Sequence, residues 1–277
     1  MAGPQREYFD TITAAVNDLV EHGFDSMDRV NYWTEEVRKA AVRASASPER
    51  LQQMLSNYLT LIYTRLVDQG QIARYHPGVA MFTVDRVRPE LRAELNRRIL
   101  ASAELIKLKK AATIEKTLQR FQGWSTSLPK GPSRTTDKPE VKADITKALK
   151  QHTFEERRVL IDQGHKLTAS INEVVAAGGG AIALVWHSHW RQAGYNYRED
   201  HKERDGEVYL LRNSWATERG LVKPGPAGWY DNVTAVAEEP YCRCYAQYLY
   251  NPRDLPAEML TKKGEEQLAL ARRALAS

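Results

Sequence analysis

Along the first two thirds of the chain, apolar residues return every three or four positions; after residue 180 they come in short runs or alternate. The first rhythm predicts amphipathic helices and the second predicts strands. Tyr8, Ile12, Ala15, Val16 and Leu19 mark a first helix. Asp25 or Ser26 is placed to cap a second, which carries Val30, Trp33, Val37 and Ala41. Ser47 and Pro48 open a third, with Leu51, Met54, Leu55, Tyr58, Ile62 and Leu66 at helical spacing. The pattern breaks over Tyr75–Val87, which reads as a loop or short hairpin. A long helix follows from Pro89 towards Phe121, its inner face written by Leu91, Leu95, Ile99, Ser102, Leu105 and Leu108.

Residues 122–139 hold Gly, Pro, Ser and Thr and little apolar material, as a linker or exposed loop does. Two helices are expected next, over 139–151 and 153–177, with Thr153 and Glu156 as a capping box for the second. Gly178-Gly179-Gly180 ends it. Three strands are expected at Ala181–Trp186, Glu207–Leu211 and Cys242–Tyr250. Pro256–Ala276 reads as a terminal amphipathic helix with Leu260, Leu268, Leu270 and Leu275. The class is α+β: a mainly helical N-terminal body with a small mixed α/β C-terminal domain containing a short sheet. The expected organisation is a helical region over 1–121, the linker over 122–139, the C-terminal domain over 140–255 and the terminal helix over 256–277.

Composition narrows the function classes. At 277 residues, 42% hydrophobic and 27% charged, the chain is long enough to bury a sizeable core. A net charge of +5 is mild. It fits a solvated helical surface, or contact with a polyanion such as DNA. The face of the long helix that holds Arg97, Arg98, Lys107, Lys109 and Lys110 admits the same two readings. Two cysteines exclude a disulfide-stapled scaffold and fit reduced thiols in a cytoplasm. The N-terminus lacks the basic-then-apolar pattern of a signal peptide, and no run reaches the roughly 20 apolar residues of a membrane span.

Candidate chemistry concentrates in residues 181–250. Cys242 and Cys244 offer two zinc ligands, His201 a third, and His187, His189 or Asp200 a fourth. An extended strand would hold the two C-x-C sulfurs about 7 Å apart, too far for one ion unless the strand bends. Without that bend both cysteines read as small core hydrophobes. His187-Ser188-His189 followed by Asp200 resembles the ligand spacing of JAMM-type zinc isopeptidases, with Trp190 and Tyr197 departing from that pattern. Arg243 beside either thiol would favour a nucleophilic thiolate. There is no P-loop, no dinucleotide-binding glycine motif and no nucleophile elbow.

Taken in order, these residues carry a resemblance. A helix bears Arg157 or Arg158 near its start, a strand ends at Trp186, and Arg198-Glu-Asp-His201 follows. Then come Asp205-Gly206-Glu-Val208-Tyr209, the loop Pro224–Gly228 and the close Cys242-Arg243-Cys244. Residues 153–250 thereby resemble the C-terminal domain of the Mu-F-like head morphogenesis proteins, minor capsid components of tailed bacteriophages. Tyr241 stands where that family often has asparagine, and His187-Ser188-His189 is not part of its pattern. The resemblance implies a non-enzymatic virion protein that joins the procapsid near the portal vertex, assembled in the host cytoplasm. Its partners would be the portal protein and other head proteins, with non-specific contact to packaged DNA and room for an oligomer. It also implies that Arg198, His201, Asp205, Gly206, Arg243 and the two cysteines fix the small domain by hydrogen bonds and ion pairs, or by a structural zinc. The N-terminal helices are not matched by motif; in the family such helices vary.

Overall fold

The computed structural model describes residues 3–45, 47–128, 130–131 and 138–276. The side chains at 144–157 lie outside that description, among them the Thr153–Glu156 capping box and Arg157, and so does that of Lys109. In chain order the α-helices are α1 (Pro4–His22), α2 (Met27–Ala44), α3 (Pro48–Tyr63), α4 (Met81–Arg86), α5 (Arg88–Thr126), α6 (Lys138–Gly178), α7 (Glu199–Glu203), α8 (Trp215–Glu218) and α9 (Lys262–Ala276). The strands are β1 (Ala183–His187), β2 (Val208–Leu210) and β3 (Tyr245–Leu249), and they form one antiparallel sheet. The class is therefore α+β and mainly helical. By contacts the chain divides into two units, Met1–Leu55 with Leu100–Leu160 and Ser56–Ile99 with Ile161–Ser277.

In the first unit, Tyr8, Ile12, Ala15, Val16 and Leu19 of α1 meet Val30, Val37 and Ala41 of α2, with Leu118 and Phe121 of α5 in the same core. The α1 and α2 positions are those the helical period picks out. Ser26 Oγ accepts the Arg29 N–H at 3.3 Å, so the serine, rather than Asp25, caps α2. Ser47 Oγ accepts the Arg50 N–H at 3.3 Å and opens α3 the same way. A smaller core joins Leu51, Leu55, Ile106 and Val159.

The two long helices depart from expectation. On α5, Leu91, Leu95, Ser102 and Ile106 are buried, but Leu105 and Leu108 are exposed. Two successive steps of three residues rotate a helix face by about 120°, whereas the step of four from Ser102 to Ile106 stays on the stripe. α6 is one helix where two were expected. Val141–Gln163 contains neither glycine nor proline, so nothing in it breaks the backbone. The linker expected from 122 begins as helix, since α5 runs to Thr126; residues 129 and 132–137 lie outside the described residues.

In the second unit, α3 passes into a π-helical turn, Thr64–Asp68. Its wider winding lets both Leu66 and Val67 enter a core with Leu59, Tyr63, Leu91, Leu95, Leu167 and Ile171. Tyr75–Val87 is not a hairpin: it contains α4, and Val84 and Val87 pack into that core. Their spacing of three suits one helix face and would split them across a strand. α6 ends in a Schellman turn. The Ala181 N–H reaches the Ala176 carbonyl at 2.9 Å, the Gly180 N–H reaches that of Ala177 at 3.2 Å, and Gly180 has φ +76°.

That turn delivers the chain into β1, the central strand of the order β2-β1-β3. Ala183 lies opposite Leu210 on one side and Leu249 on the other. Leu184 and Trp186 enter a core with Tyr209, Tyr230, Tyr248 and both cysteines. Ile182 and Ala183 enter another with Leu210, Leu221, Val222 and Met259. Burial on both faces explains a continuous apolar run rather than an alternating one. The terminal segment is shorter in α-helix than expected. Ala257–Met259 is a 3-10 turn, and α9 starts at Lys262 with Thr261 Oγ1 accepting the Gly264 N–H at 3.1 Å. Leu270 and Leu275 are exposed. No described helix is long and apolar enough to cross a membrane.

Candidate metal centre

Two loops meet where β1 ends. The first leaves His187, passes through α7 and returns at Asp205-Gly206 to β2; the second runs from Tyr230 to the cysteines and into β3. Asp205 fastens the first loop. Its Oδ1 accepts the Ser188 N–H at 2.7 Å and its Oδ2 the Trp190 indole N–H at 2.9 Å. The Ser188 N–H holds the Asp205 carboxyl below the usual carboxylate range; burial opposes that and the Trp190 N–H adds to it. Gly206, at φ +88°, turns the chain so that its N–H reaches the Trp186 carbonyl at 2.8 Å.

The second loop bends. Cys242 and Cys244 precede β3 instead of lying in it, which corrects the expected strand start. Ala237 (φ +61°) and Tyr241 (φ +63°) adopt left-handed backbone, uncommon for residues with a Cβ. Asp162 Oδ1 holds this bend by accepting the Tyr241 N–H at 2.5 Å. Asparagine tolerates the left-handed region better than tyrosine.

The bend brings the sulfurs together. Cys242 Sγ and Cys244 Sγ each lie 3.5 Å from His201 Nδ1, and the three donor atoms all fall within 4.8 Å of one another. The roughly 7 Å separation of an extended C-x-C is therefore absent. Both thiols are free, and His201, Cys242 and Cys244 are at most 4% exposed. The Cys242 thiol is pushed down to about 5, first by the hydrogen bond from Cys244, then by the backbone N–H groups of Cys244 and Ala237, with burial opposing. Cys244 is pushed up by the same hydrogen bond and by burial.

Around this trio the residues named from sequence take supporting positions. His201 Nε2 has no hydrogen-bond partner among the described residues; Glu239 Oε1 lies 3.8 Å from it and Asp200 Oδ2 3.9 Å. Arg198 pairs with Glu239 through Nε and donates to the Pro240 carbonyl at 3.0 Å. The Arg243 N–H donates to the Tyr195 hydroxyl at 3.2 Å, and its guanidinium donates to Gln192 Oε1 at 3.1 Å. Arg243 thus ties the two loops to each other and is not aimed at a thiol.

The other candidate set does not assemble. His187 stacks on Tyr245 with ring centroids 4.8 Å apart, and His189 lies 5.8 Å from the same ring. Asp200 is engaged elsewhere, with Arg204 at 2.8 Å. Among the described residues no metal-binding group includes His187 or His189. The zinc-isopeptidase spacing is therefore not accompanied by convergence of His187, His189 and Asp200 among the described residues.

No protein-family model, curated protein or solved structure matches the chain. Function is therefore argued from the arrangement itself and from the sequence resemblance.

Sequence reasoning missed Glu239, Asp162 and the role of Trp186 and Ser188. The Trp186 indole N–H and the Ser188 hydroxyl are buried, and neither has a hydrogen-bond partner among the described residues. Only Glu239 leaves a signal in the sequence, as a carboxylate three residues ahead of Cys242.

Proposed function

We propose that the chain is a structural, non-enzymatic protein of bacteriophage head morphogenesis, a minor capsid component acting near the portal vertex. One observation carries the reading: the residues that make up the family resemblance hold one another. Arg198 reaches Glu239 and Pro240, Asp205 ties Ser188 and Trp190, Gly206 closes on Trp186, and His201 lies against both cysteines. Such mutual contacts support a motif kept for a small domain's framework. A centre sealed from solvent suits that role better than it suits turnover of a substrate. The partners are the portal protein and other head proteins. The net charge of +5 is compatible with non-specific contact to packaged DNA. The protein resides in the capsid interior or at the portal vertex after assembly in the host cytoplasm.

The test is co-purification from infected cells. A tagged chain is expected to sediment with proheads or to bring down portal protein. Its absence from proheads and virions alike contradicts the proposal.

A further inference from the structure

We infer that His201 Nδ1 and the thiolates of Cys242 and Cys244 hold one zinc ion, and that Glu239 is the positioning residue that sets the imidazole for it. This stands apart from the assembly role: either can fail without the other.

The spacing comes first. Zinc sits about 2.3 Å from a cysteine sulfur and about 2.0 Å from an imidazole nitrogen, in tetrahedral array. Those bond lengths put sulfur and nitrogen about 3.5 Å apart. Both sulfurs lie at 3.5 Å from Nδ1.

The second argument is the far side of the ring. A metal-binding histidine almost always presents its other N–H to a carboxylate or carbonyl, which fixes the tautomer and raises the basicity of the ligating nitrogen. In His201, Nδ1 faces the sulfurs while the nearest groups to Nε2 are carboxylates, Glu239 Oε1 at 3.8 Å and Asp200 Oδ2 at 3.9 Å, placed to accept its N–H after a small closure. Arg198 in turn anchors Glu239. The order Arg198–Glu239–His201–Cys242/Cys244 is a ligand set with its supporting shell.

The chain supplies three ligands. The fourth position falls to water or to Ser188 Oγ, a buried oxygen without a hydrogen-bond partner among the described residues.

Cobalt(II) is the probe, because thiolate coordination gives it a near-ultraviolet charge-transfer band. The full chain, purified under reducing conditions and stripped with a chelator, is titrated with cobalt and then with zinc. One equivalent of cobalt is expected to produce the band, and zinc to abolish it. Binding without the band, or no saturable binding, overturns the site. Cys242→Ser is expected to weaken the band; should that variant fail to fold, the wild-type titration still decides, since the band reports sulfur directly. Glu239→Gln is expected to keep the band and weaken metal affinity about 10–100-fold, with partial recovery in Glu239→Asp. Unchanged affinity in Glu239→Gln overturns the positioning role.

Discussion

His187-Ser188-His189 and the trio His201, Cys242 and Cys244 lie in the same unit and invite the same chemistry on paper. They differ in how their members meet. The two histidines are neighbours in sequence, sit at the end of a strand, and flank Tyr245, a ring that is 53% exposed. The trio is separated by 41 and 43 residues of chain, yet its donor atoms converge within the core. A short motif fixes only which residues are near in sequence. Convergence comes from what closes the loops: Asp205 on one, Asp162 and the left-handed Tyr241 on the other.

Breaking the buried trio should have the largest effect. His201→Ala is expected to lower unfolding free energy by about 2–4 kcal/mol, because it opens a buried cavity beside two sulfurs. Urea denaturation of the reduced protein measures this. A loss no greater than that of a surface substitution would erase the contrast between the two groups.

The loop closures come next. Asp205→Asn is expected to cost about 1–2 kcal/mol at neutral pH by weakening two hydrogen bonds to an ionised carboxylate. The folded-state pKa of Asp205 is lowered, so its contribution is full above the unfolded value of about 4 and disappears as pH falls through the folded one. Wild type should therefore lose stability below about pH 4 more steeply than Asp205→Asn. Parallel acid limbs in the two proteins would show that the carboxylate plays no such part.

At Tyr241, valine should destabilise by about 1–2 kcal/mol relative to asparagine, since a β-branched residue is poorly tolerated at φ +63°. Equal melting temperatures for Tyr241→Val and Tyr241→Asn would argue that the bend before Cys242 is not left-handed. The smallest effect belongs to the exposed pair. His187→Ala with His189→Ala should change stability by less than about 0.5 kcal/mol and leave the thiolate band of a cobalt titration unchanged. Loss of that band in the double variant would reverse the comparison.

The helices were largely legible because a buried stripe must repeat at the helical period. Tyr8, Ile12, Val16, Leu19, Val30 and Val37 are all core residues as that period requires. Legibility failed where a local signal met a longer constraint. Thr153 and Glu156 have capping spacing, but an uninterrupted helix-forming run carries α6 past them. Leu105 and Leu108 continue a period on paper while drifting off the buried face. At the centre, the sequence marked His201, the two cysteines and Arg198 but not their geometry. An alternating CRCYAQYLY reads as one strand, and only the backbone angles at Ala237 and Tyr241 reveal the bend that brings both sulfurs to His201. Glu239 was hidden for the same reason: its partner Arg198 arrives from the other loop.

The central claim is that this unit's chemistry lies in the buried trio. X-ray absorption at the zinc edge of the freshly purified, unmodified chain tests it most directly. Two sulfur scatterers at about 2.3 Å and one imidazole per zinc are the predicted shell. A shell of nitrogen and oxygen alone, or protein without zinc, would contradict it.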